Sequence, residues 1–223
     1  MVKRFAFRAQ YQNGRKEDIL RYLESKSNTI KELAASDTIM TLSVFMWNNN
    51  LFLYYESIGK DIAPDELFGE SGIYLKAWPG EDDVRYWIPM HDIFHYNRPV
   101  SIEHWRRKRK PEKIVGRLAR LKPEMLSSYI YYHYQYQEEK PCDGNKTGII
   151  HLNDNIMFFY HEEPVITEPP LYQGALNTSN TPSAWGEVMR PHFIVWEDAP
   201  KGQEIWRNVG LVFHMSSPLT IFN

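Results

Sequence analysis

Two stretches of this chain carry the same order of an apolar run, an asparagine turn and a second apolar run. Leu42-Ser43-Val44-Phe45-Met46-Trp47-Asn48-Asn49-Asn50-Leu51-Phe52-Leu53-Tyr54-Tyr55-Glu56 is the first, and Ile149-Ile150-His151-Leu152-Asn153-Asp154-Asn155-Ile156-Met157-Phe158-Phe159-Tyr160-His161 is the second. Asparagine tolerates the left-handed backbone of a tight turn, so each stretch is predicted to be a β-hairpin. A shift of 105 positions superimposes Asn50 on Asn155 and Tyr55 on Tyr160. Internal recurrence at a long period is the signature of a repeated folding unit.

The flanks extend the recurrence. A short apolar strand precedes each hairpin, Phe5 to Gln10 and Ile114 to Leu121, followed by a helical segment, Arg15 to Ala35 and Pro123 to about Gln137. Pro123 suits a first helical turn, where its missing N–H costs nothing. Beyond each hairpin a second helix is expected over Asp82 to Phe94 and over Pro182 to Ile194. A closing strand is expected around Val100 to Arg107 and around Trp206 to Met215. Each half therefore reads βαββαβ, an α+β, ferredoxin-like repeat, with residues 1–110 forming the first and 111–223 the second. Such a sheet bears helices on one face, and two repeats can bury their bare faces against each other in a pseudo-twofold body. The joint, Arg106 to Lys113, is short and basic and contains no Gly/Ser-rich linker.

Composition narrows the function classes. The 26 Lys and Arg against 28 Asp and Glu give a net charge of −2, so no global field draws nucleic acid or an anionic membrane. No window approaches ~18 consecutive apolar residues, so no membrane span is expected. Arg8 interrupts any apolar leader after Met1, and the single Cys142 suits a reducing compartment; a cytoplasmic protein is expected. No Gly-rich phosphate loop, nucleophile elbow or CxxC motif is present. Aromatic residues make up 14% of the chain, with 7 Trp and 14 Tyr, more ring surface than a plain core requires.

Several of those rings resemble a known family. Lys122-Pro123-Glu124 followed by Tyr129-Ile130-Tyr131-Tyr132-His133 is similar to the helix opening and Tyr-x-x-x-His pair of the L-rhamnose mutarotase family. Arg4-Phe5-Ala6-Phe7, Arg85-Tyr86-Trp87-Ile88-Pro89-Met90-His91-Asp92 and Val209-Gly210-Leu211-Val212-Phe213-His214-Met215 resemble its opening strand, sugar-site segment and final strand. Tyr22 matches the family tyrosine in the first half, with Lys26 where the histidine would stand; Trp185 matches the first tryptophan of the second half, with Gly186 in place of the next.

The resemblance implies a dimeric α+β barrel and a cofactor-independent isomerase interconverting the anomers of a monosaccharide. His133 would be the acid/base and Tyr129 its helper, one turn apart on one helix face. Tyr22, Tyr86, Trp87, Asp92, His151 and Trp185 would hold the sugar ring. Neither metal nor cofactor is implied, and the fused pair is expected as a monomer open to further self-association.

Two other readings stand beside it. One is a non-catalytic small-molecule-binding or interaction protein on the same scaffold. The other is a metal-dependent enzyme, because His91 and His95 would sit one helical turn apart with Asp92 beside them.

Overall fold

Residues 1–80 and 84–217 are described by the computed structural model, and they divide into two units. The first unit comprises Met1–Met90, Ser101–Lys110 and Gly210–Asn223; the second comprises His91–Val100 and Pro111–Val209.

The first unit is built on β1 (Val2–Gln10), α1 (Lys16–Ser25), α2 (Ser27–Ala35), β2 (Ile39–Trp47) and β3 (Asn50–Ile58). It continues through α3 (Pro64–Phe68), the start of β4 (Ile88–His95) and α4 (Ile102–Trp105). Strands β2 and β3 form a hairpin in which Trp47 faces Asn50, and β1 runs antiparallel to β3 from Val2↔Ile58 to Gln10↔Asn50. Residues two apart on a strand share a face, so Leu51, Leu53 and Tyr55 point together. They pack with Ile19, Tyr22 and Leu23 of α1, whose i, i+3, i+4 spacing gives that helix its apolar side. Glu56 projects from the other face of β3 and is wholly buried, where Arg107 pairs with both its oxygens and the Tyr54 hydroxyl donates to Oε1 at 2.8 Å.

The second unit is built on β5 (Lys113–Leu121), α5 (Leu126–Glu139), β6 (Ile149–Asn153), β7 (Ile156–Glu163), α6 (Trp185–Met189), β8 (Phe193–Ile194) and the start of β9 (Arg207–Ser216). Strands β6 and β7 form the second hairpin, and β7 pairs antiparallel with β5. The His91–His95 part of β4 lies against β6, and β5 also pairs with β8 and with Arg207–Val209 of β9. Helix α5 covers the face formed by Ala119, Leu121, Ile150, Leu152 and Met157. In the first unit, β4 supplies a short antiparallel pairing to β1, and Gly210–Ser216 of β9 pairs with β2. No helix among the described residues is long and apolar enough to cross a membrane.

Several expectations are corrected. The hairpins recur, but Asn48 and Asp154 occupy the first position of their turns, with φ of 49° and 53°, so the shift is 106 and Tyr54, not Tyr55, corresponds to Tyr160. Asp82 and Asp83 lie outside the described residues, Val84 to Trp87 are not helical, and the part of the first expected second helix from Ile88 to Phe94 lies in β4 instead. Buried Ile88 and Met90 alternate there with exposed Pro89 and His91, a period of two that suits a strand. The closing strand expected at Val100 to Arg107 is α4, whose Ser101 Oγ accepts the His104 amide at 3.0 Å as a helix cap. The helix expected over Pro182 to Ile194 shrinks to five residues before a 3₁₀ turn at Arg190–His192 and β8. Pro191 accounts for that stop, since it can donate no hydrogen bond to a continuing helix.

The ferredoxin-like βαββαβ pair and its dimeric α+β barrel are therefore not what the chain forms. The second long helix of each expected repeat is absent among the described residues, and a strand and a short helix stand where the first half was expected to carry a helix and a closing strand.

Candidate functional site

The second unit holds a cavity of about 300 Å³ between α5 and the strands it covers. Helix α5 contributes Tyr129, His133 and Tyr136 at i, i+4 and i+7, which fall on one helix face. Phe94 of β4, Phe159 of β7, Trp185 of α6 and Trp206 just before β9 complete the aromatic wall. Among the described residues, the charged side chains in the lining are Arg117 and Arg190, with no carboxylate.

His133 is fixed on three sides. Its ring stacks on Tyr129 with centroids 3.9 Å apart, and the edges of Phe94 and Trp185 meet it at 5.1 and 4.9 Å. Nδ1 lies 3.0 Å from the Tyr129 carbonyl oxygen, which can only accept, so Nδ1 carries the proton and Nε2 keeps a lone pair. Burial pushes the imidazole down to about 4; the bond to the Tyr129 carbonyl works against that, and nearby His192 adds to it. At neutral pH roughly one ring in 10³ is then protonated. Burial also holds the Tyr129 phenol well above its ordinary range, so it stays neutral. The Tyr136 hydroxyl is committed elsewhere, donating to Asp143 Oδ2 at 3.0 Å.

Of the residues expected to form one sugar site, the structure brings His133, Tyr129 and Trp185 together in this wall. Tyr22, Tyr86 and Trp87 belong to the core of the first unit and do not line the cavity. Tyr22 accepts the Glu70 amide at 3.2 Å and carries the Lys26 ammonium 5.0 Å above its ring, while Trp87 Nε1 donates to Ser71 Oγ at 3.1 Å. Asp92 bonds His95 Nδ1 at 2.9 Å. His151 is buried on the face of β6 opposite Ile150 and Leu152, because strand neighbours alternate.

The metal reading loses its geometry as well. His91, Asp92 and His95 lie on a strand with a bulge between Asp92 and Phe94, not on a helix. Among the described residues no group of three His, Cys, Asp or Glu could hold a metal ion.

Phe94, Phe159, Trp206, Arg117 and Arg190 escaped the sequence reading. Phe94 was hidden inside the expected helix. Phe159 and Arg117 carry a usable signal, since β-alternation sets Phe159 beside Met157 and Arg117 beside Ala119 on the helix-covered face.

No family model and no curated protein matches the chain in sequence. Among the solved structures that resemble it are the following three. One is described as a "putative monooxygenase" from Lactobacillus acidophilus NCFM, with 8% identity, 100% of this chain and 99% of that chain covered, and a TM-score of 0.44. A second, given the same description and from Fusobacterium nucleatum subsp. nucleatum, has 7% identity over 96% of this chain and 94% of that one, with a TM-score of 0.45. The third, an "anthrone oxidase-like protein", has 9% identity over 97% and 93% of the two chains and a TM-score of 0.38. Those names belong to those proteins.

The assignment to the L-rhamnose mutarotase family is corrected: no family model matches the chain, and the residues that the resemblance named for one site do not come together. The chemistry agrees with the correction. Anomer exchange needs an acid near neutrality, and a ring held near 4 is unprotonated there. Of the residues meant to grip the sugar, Tyr22, Tyr86 and Trp87 also belong to the core of the first unit and Trp185 to that of the second.

Proposed function

We propose that the second unit binds a flat, hydroxylated aromatic small molecule in the ring-lined cavity, with His133 Nε2 accepting the hydrogen bond of its hydroxyl. The observation that carries this reading is the state of His133: neutral, its tautomer set by the Tyr129 carbonyl, and enclosed by rings. A volume of about 300 Å³ lies at the lower end of small-molecule sites and suits a ligand of two or three fused rings. Phe94, Trp185 and Trp206 offer ring faces and edges for stacking, worth ~0.5–1.5 kcal/mol per pair beyond burial.

Trp185 and Trp206 line the cavity, so tryptophan fluorescence reports its occupancy. 2-Naphthol is expected to bind several-fold more tightly than naphthalene, as one neutral hydrogen bond is worth ~0.5–1.5 kcal/mol. His133→Phe keeps the stacking surface and should abolish that preference. Failure of 2-naphthol to bind, or a hydroxyl preference that survives His133→Phe, would overturn the proposal.

A further inference from the structure

Arg117 stands where two hollows of the second unit meet. It lines the aromatic cavity and also an adjoining cleft of about 340 Å³, and Ile205 and Trp206 are shared in the same way. The cleft is the more polar of the two, with Gln203, Glu204 and Asn208 in its wall. In the antiparallel register Arg117 faces Phe159 on one side and Asn208 on the other, so the three side chains lie on one sheet face.

The guanidinium is oriented but not used up. Its Nε donates to the Asn208 Oδ1 at 3.1 Å, and among the described residues its two terminal nitrogens have no hydrogen-bond partner and no carboxylate neighbour. Arg190, the other cation of the cavity, is exposed, and the Glu204 carboxyl is held below its ordinary range first by backbone hydrogen bonds at Gly202 and Glu204 and least by Arg190. Among the described residues no acid lines the aromatic wall, and Arg117 stands there with no ion pair. A positive group beside low-dielectric rings attracts an anion strongly, and a guanidinium meets a carboxylate through two parallel N–H···O bonds.

We infer that the ligand of the aromatic cavity carries a carboxylate, bound by the free edge of Arg117 at the junction of the cavity and the cleft. This rests on the aromatic-ligand reading above. It adds a second anchor: the hydroxyl end turns to His133 and the acid end to Arg117. Glu204 also lines the cleft, and its charge opposes an acidic arm extended into it, so the carboxylate belongs close to the ring system.

The test compares 2-naphthol with 6-hydroxy-2-naphthoic acid by tryptophan fluorescence on the full chain. The acid is expected to bind at least tenfold more tightly, in line with hydrogen bonds to charged groups. Arg117→Gln should erase that gain, so that the variant binds the acid and 2-naphthol equally within about twofold, and Arg190→Gln should keep the gain. Arg117→Lys retains the charge without the two-pronged geometry and should keep only part of it. Binding of 2-naphthol with no gain for the acid, or a gain that survives Arg117→Gln, overturns the carboxylate inference and leaves the aromatic site standing. Binding of neither compound overturns the aromatic site and this inference with it.

Discussion

Tyr160 donates its hydroxyl to the Glu162 carboxylate at 2.8 Å, two residues further along the same strand. Tyr54 makes the same bond to Glu56 at the same distance, 106 positions earlier. Residues i and i+2 project from one strand face, so a tyrosine leaning along the strand can reach the carboxylate. The two pairs differ in what surrounds them. Glu56 is neutralised by Arg107, whereas at Glu162 the Asn145 side chain donates to the backbone carbonyl at 2.7 Å and the backbone amide donates to Thr147 Oγ1 at 2.9 Å. The hairpins therefore share a buried polar motif as well as a turn.

Glu56→Ala should lower the unfolding free energy by about 3–5 kcal/mol, because it strands a largely buried Arg107 without its counter-charge. Tyr54→Phe removes one donor and should cost about 1–3 kcal/mol. Urea denaturation of the single and double variants checks both figures. Less than additive loss in Glu56→Ala/Arg107→Ala is expected, since the partners share one interaction.

His133 makes stability fall in mild acid. Its folded-state value, about 4, lies below the ordinary 6.5, so the unfolded chain binds the proton first. The group costs nothing above pH 6.5. Its penalty grows as the pH drops toward 4 and levels off below that at roughly 3 kcal/mol. His133→Phe should flatten this part of the stability profile, measured by urea denaturation between pH 7 and 4. An unchanged slope would show that the ring is protonated freely in the folded state.

How much of this could be read from the residues differs by element. The hairpins were legible because asparagine turns and apolar alternation are local signals. Helix α5 was legible for the same reason, as were Tyr129 and His133 on its face. Strand β4 was not: His91 and His95 fit a helical spacing while Ile88 and Met90 fit a strand, and pairing with β1 and β6 decided between them. Nor does any local pattern reveal that β9 pairs with β2, a contact that brings Ser43 Oγ within 3.0 Å of His214 Nδ1 across 171 positions. The cavity suffered likewise, since Phe94, Phe159 and Arg117 reach it through strand register.

The segment after β7 is tied to the end of α5, and Gly174 is a tight point in that tie. A Cβ there would stand 1.9 Å from the Glu138 carbonyl oxygen, closer than atoms can approach. Nearby, Glu138 accepts the Ala175 amide at 2.7 Å, and Glu139 accepts the Asn180 and Thr181 amides at 2.8 Å each. Gly174→Ala should therefore push this segment off the helix end without unfolding the core. Hydrogen exchange at Ala175, Asn180 and Thr181 should speed up at least tenfold, while Ile150 and Met157 stay protected.

Gly186 offers the opposite case. It lines the aromatic cavity, and a Cβ added to it meets no atom within 4 Å. It lies inside α6, where glycine is a poor helix former, so Gly186→Ala should leave stability unchanged or raise it by about 0.5–1 kcal/mol. Gly186→Leu adds three further carbons on the same open side. If the cavity is where aromatic ligands enter, the leucine should weaken 2-naphthol binding at least tenfold while thermal unfolding stays within a few degrees of the parent chain. Equal binding by Gly186→Leu and the parent would place the ligand away from Gly186.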